Sequence, residues 1–122
     1  MRQQSPEQMT MIDGHAVNER FRLITHQHYA DRIAADPGIV NAANDLVSSR
    51  LADGSITLAD RMWGVLLTMS VDEIRSAMLK DDPDGRLLRS GSPFSELLGE
   101  QDQGARSRLW NRARAELAAS RT

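Results

Sequence analysis

Cysteine is absent from this 122-residue chain, which excludes structural disulfides, thiolate metal sites and thiol nucleophiles and fits a reducing cytoplasm. Long apolar runs are absent too. No stretch reaches the ~18–20 residues that cross a bilayer, and the amino terminus MRQQSPEQMTMIDG carries no secretory apolar core. A cytoplasmic protein without membrane contact is expected. Lysine is nearly missing, since Lys80 stands alone against fourteen arginines. A GC-rich coding bias explains that usage, with a preference for bidentate anion contacts as the functional alternative. The net charge of −2 gives no global electrostatic case for nucleic acid. Nine of the fifteen basic residues lie in residues 62–122, but nine acids share that half, so the asymmetry is local. No nucleophile elbow, phosphate loop or zincin motif occurs. The expectation is a protein that is not an enzyme and uses no cofactor.

What is present is helix punctuation. All four prolines follow Ser or Asp, as Ser5-Pro6, Asp36-Pro37, Asp82-Pro83 and Ser92-Pro93. Each pair sets a strong N-capping side chain before a proline at the first helical position, where the missing N–H costs nothing. Apolar residues then recur with helical spacing: Val17, Phe21, Ile24 and His28 on one helix, Val40, Ala43 and Val47 on the next. Around Thr57 to Met69, Leu58, Met62, Val65 and Met69 form one stripe while Trp63, Leu66 and Leu67 fill the others. That pattern predicts a central helix buried on several sides. Ser70 and Glu73 make a capping-box pattern, and a last helix over about Ala105 to Ala119 carries Leu109, Trp110, Ala113 and Leu117 on one face. The fold class predicted is all-α, a compact single-domain bundle of five or six helices. Residues 1–13 are expected to form a flexible amino-terminal arm and residues 14–122 a single helical domain.

The histidines do not make a metal site. His26 and His28 are two apart on a helix and point about 200° from one another, and His15 lies three turns from His26, roughly 16 Å. The spacing places His28 on the core stripe and His26 in water. Asp81, Asp82 and Asp84 lack the alternating ligands and closing glutamate of a calcium loop; they read as N-cap and first-turn acids favoured by the helix dipole. A helix-turn-helix over residues 37–51 and 57–69 has suitable lengths, but its second helix shows Met, Trp, Leu and Val where a groove-reading helix needs polar side chains.

Between the last two proline starts, Arg86 and Arg89 stand three residues apart on a short helix that is expected to show both guanidinium groups on one face, then turn at Gly91 into a second helix led by Phe94. From about residue 26 to 98 the chain resembles antitoxin-like partner proteins of bacterial two-gene toxin–antitoxin modules. Their pattern is a His-bearing helix, an Asp-Pro start, a Trp-containing middle helix and an acidic-then-arginine segment ending Leu-Arg-x-Ser-Ser-Pro-Phe. Here these marks fall on His28, Asp36-Pro37, Trp63 and Leu88-Arg89-Ser90-Gly91-Ser92-Pro93-Phe94. Gly91 replaces the first serine of the pair, and the tail after Gly99 has no counterpart. The resemblance implies a non-enzymatic protein that binds and neutralises a cognate toxin, with autoregulation of its own operon as a further implication; a homodimer is a separate alternative for its partner. Partner-binding residues are then Arg86, Arg89, Ser92 and Phe94, forming a small exposed anchor of the kind that dominates interface energetics. The alternative is that Phe94 plugs the local core while the arginines cap nearby carbonyls. A second functional reading is a DNA-binding regulator touching operator phosphates through Arg106, Arg108, Arg112 and Arg114 of the last helix, against solvated helix faces with pairs such as Arg112 and Glu116.

Overall fold

A computed structural model of the chain describes residues 14–54, 56–99 and 103–120. The amino-terminal arm, with Ser5-Pro6, lies outside the described residues. Seven helices run α1 Gly14–Ala35, α2 Gly38–Ala52, α3 Leu58–Leu66, α4 Val71–Met78, α5 Pro83–Ser90, α6 Pro93–Leu98 and α7 Gln103–Ala119, with no strand among the described residues. The all-α expectation holds, and the seven helices among the described residues exceed the five or six expected.

Local chemistry sets the starts. The Asp36 carboxylate accepts from the Gly38 N–H at 3.1 Å, Asp82 from the Gly85 N–H at 2.7 Å, and Ser92 from the Phe94 N–H at 3.1 Å. Ser70 and Glu73 close the expected capping box, and Thr57 with Asp60 closes another at the start of α3. Each satisfies N–H groups that a helix end leaves orphaned.

The long helix α1 joins two clusters. Near its start, Val17 and Ile24, with Phe21 beside them, pack on Ala113, Leu109, Trp110 and Leu117 of α7. Nearer its end, Tyr29, Ala30 and Ile33 enter the main core with Ala43 and Val47 of α2, Trp63 of α3, Ile74 and Met78 of α4, Leu88 of α5 and Phe94 of α6. Because the two partners meet α1 on different sides, its buried surface is not one stripe. This reverses the histidine expectation. His26, one turn before Ala30, is fully buried and stacks edge-on against Tyr29 at 4.9 Å, whereas His28 is exposed.

The reading of α3 as buried nearly all round is also corrected. Ala59, Asp60, Trp63 and Leu66 face inward, but Leu58 and Val65 keep 63% and 62% of their surface and Met69, just past the helix end, is exposed as well. Neighbouring α2 and α5 cover one side of α3; the opposite stripe meets solvent.

Candidate functional site

The proline-marked corner is built inward. Arg89 keeps 2% of its surface and its Nη1 donates to the carbonyls of Met78 at 3.0 Å and Lys80 at 2.7 Å. It thereby closes the carboxyl end of α4, where helix carbonyls lack partners and the dipole favours a cation. Burial pulls its guanidinium pKa below the ordinary value, while the charges of Glu19 and Asp81 act the other way. Phe94 has no exposed surface and meets the Trp63 ring edge to face at 5.5 Å, and the Trp63 indole N–H donates to the Leu88 carbonyl at 2.8 Å. Ser92 is buried as the cap of α6. An exposed anchor of Arg89, Ser92 and Phe94 is therefore not what this fold presents; the plug and carbonyl-capping alternative describes all three. Arg86 alone stays at the surface, paired with Asp81 at 3.0 Å. The corner also needs its glycine: a Cβ on Gly85 would lie 2.0 Å from the Lys80 carbonyl oxygen.

Two further polar arrangements support this corner. Arg50 of α2 donates to the Asp60 carboxylate at 3.4 Å, to the Gly91 carbonyl at 3.3 Å and to Glu96, tying α2, α3 and the α5–α6 turn together. On the other side, His26 Nδ1 donates to the Arg22 carbonyl at 2.7 Å and its Nε2 has no hydrogen-bond partner among the described residues. Burial, with the Arg89 and Arg22 charges adding to it and the Arg22 hydrogen bond opposing it, lowers the His26 pKa from 6.5 to about 4. It is a neutral core side chain at physiological pH. Among the described residues no group of three or more His, Asp or Glu side chains gathers as a metal site, and no helix is long and apolar enough to cross a membrane.

The surface that remains open beside the corner is apolar. Met62, Val65, Leu66 and Met69 line one wall of a groove of about 450 Å³, and Ala77, Gly85 and Leu88 line the other. Arg61, Lys80, Asp82 and Asp84 stand at its lips. Comparison with protein-family models, curated proteins and solved structures finds no match. The geometry must carry the functional argument.

The apolar residues of this segment suit a core or a hydrophobic interface, and a central helix buried on several sides leaves no room for the groove that Met62, Val65 and Met69 line. The available signal was α3 itself: a nine-residue helix with two opposed apolar faces needs neighbours on both sides. The arginines of α7 divide. Arg106 sits over the Phe21 ring at 5.5 Å, Arg112 binds Glu116 at 2.8 Å, and Glu116 also takes Arg20 at 3.1 Å. The Arg112 hydrogen bond, foremost among these contacts, holds the Glu116 carboxyl below the usual carboxylate range. Arg108 and Arg114 are exposed. The basic helix is thus not a uniform row of free cations.

Proposed function

We propose that this is a non-enzymatic protein-binding module, antitoxin-like, that holds a cognate toxin in the groove between α3 and the α4–α5 junction. The observation that carries the reading is the exposed row of Leu58 and Val65 on α3 and Met69 just past its end, on the helix whose other face anchors Trp63 in the core. Exposed apolar side chains that adjoin a groove rimmed by polar residues mark interaction sites more often than scattered surface leucines do. Positions 58, 62, 65 and 69 follow helical spacing, which suits an amphipathic partner helix laid along the groove. Lips of both charge signs, Arg61 and Lys80 with Asp82 and Asp84, would fix its orientation and register more than its affinity. The resemblance of residues 26–98 to antitoxin-like proteins supplies the class of partner, and the corner it rests on becomes the scaffold that sets the groove wall rather than the contact itself.

Co-expression with the product of the adjacent gene tests the reading. A neighbour that is toxic alone, harmless in the pair and co-purified with this chain is the expected result. A neighbour that is harmless alone, or that never co-purifies, overturns it.

A further inference from the structure

A second cleft lies between α1 and α7 and shares no lining residue with the apolar groove. Its rim is cationic from both helices. His28 and Arg32 stand one turn apart on α1, Arg108 and Arg112 one turn apart on α7, and Leu98 and Leu109 contribute to its floor. The volume is about 460 Å³. No carboxylate is among its described lining residues. The side chains of His28, Arg32 and Arg108 have no hydrogen-bond or ion-pair partner among the described residues, and Arg112 alone is paired, with Glu116.

This concentration of charge runs against a chain whose net charge is −2. Three guanidinium groups around one cleft repel each other, and at contact range salt screens them only in part. Guanidinium groups present a planar fork that matches carboxylates and phosphates bidentately. Arg108 and Arg112 stand one turn, ~6 Å, apart along α7 and face Arg32 of α1 across the cleft, so an anionic group can be held on either side of the floor. The floor decides which anion fits. A phosphodiester chain would leave Leu98 and Leu109 uncovered, whereas a peptide can place an apolar side chain on them and carboxylates against the arginines on both sides.

We propose that the α1–α7 cleft is a recognition site for an acidic peptide segment in which Asp or Glu residues flank a Leu or Phe. It is independent of the apolar groove and of the toxin reading, and it enlists Arg32 and His28 of α1 beside two of the arginines of α7.

The test is fluorescence anisotropy with the full chain and a labelled peptide of Glu and Asp residues around a central Leu. Arg32 and Arg108 are exposed and unpaired, so an Arg32→Ala/Arg108→Ala double variant should melt as the parent does. The site predicts that this double variant binds the peptide at least tenfold more weakly, that replacing the peptide's Leu with Ser weakens binding severalfold, and that Arg61→Ala on the other groove leaves the affinity for this peptide unchanged. Equal binding by the double variant, or no binding of the peptide at low salt, overturns the proposal. A random-sequence DNA duplex that binds more tightly than the peptide and depends on Arg32 and Arg108 also overturns it, in favour of a phosphodiester site whose affinity would fall steeply with salt.

Discussion

Buried and neutral, His26 should make the protein acid-sensitive in a calculable way. An unfolded histidine takes up a proton near pH 6.5, whereas the folded side chain does so only near pH 4. Between those values the unfolded state binds the extra proton, so stability is fully present above pH 6.5 and falls by about 1.4 kcal/mol per pH unit as the solution is acidified. Below pH 4 the loss levels off. At pH 4.5 the interval spans about two units, which corresponds to roughly 3 kcal/mol, or on the order of 10 °C in melting temperature for a chain of this size. His26→Gln removes the titration while keeping an N–H that can reach the Arg22 carbonyl. Denaturant unfolding of both proteins at pH 7 and pH 4.5 isolates the histidine, because carboxylates common to the two cancel. The parent should lose about 3 kcal/mol more than the variant over that range. Parallel losses would refute the assignment of His26 to the core.

Phe94→Ala should destabilise by about 3–5 kcal/mol, as expected for deleting a buried aromatic, and should blue- or red-shift the Trp63 emission; a loss under 1 kcal/mol would place Phe94 at the surface. Arg89→Met keeps the volume but strips two carbonyl partners from the end of α4, and urea unfolding should show a loss of about 2–3 kcal/mol. The same change at Arg86, which is exposed and held by a single ion pair, should cost less than about 1 kcal/mol. Gly85→Ala should destabilise by more than the ~1 kcal/mol that alanine normally gains over glycine inside a helix, because the added methyl must displace the Lys80 carbonyl; a neutral or stabilising result in thermal melts would contradict that close approach.

The helix starts were legible because capping is a local transaction. Asp36, Ser70, Asp82 and Ser92 each bind a backbone N–H within three residues, and no tertiary information is needed to foresee that. The sidedness of the helices was not legible. Whether Val65 or Trp63 faces the core depends on where α2 and α5 dock, and whether His26 or His28 is buried depends on α1 meeting α7 on one side and the main core on another. Arg89 shows the same limit from the other direction. Its spacing from Arg86 predicts both guanidinium groups on one face, yet Arg86 is exposed and Arg89 is buried, because the carbonyls that claim Arg89 belong to the end of α4, eleven and nine residues back. The cationic cleft was not legible: Arg108 and Arg112 read as two of four arginines on the last helix, and the His28 and Arg32 that face them come from a helix some eighty residues away, brought alongside only by the fold.

A partner seated on the exposed stripe of α3, as proposed, would meet a charge introduced at Val65. Val65 is 62% exposed, so Val65→Glu should leave the melting temperature within about 2 °C of the parent, as surface substitutions do. Co-purification of the variant with the adjacent gene's product measures the claim directly. The account predicts that the complex is lost and toxicity returns while the variant stays folded; a Val65→Glu protein that retains its partner and still neutralises it would contradict the account.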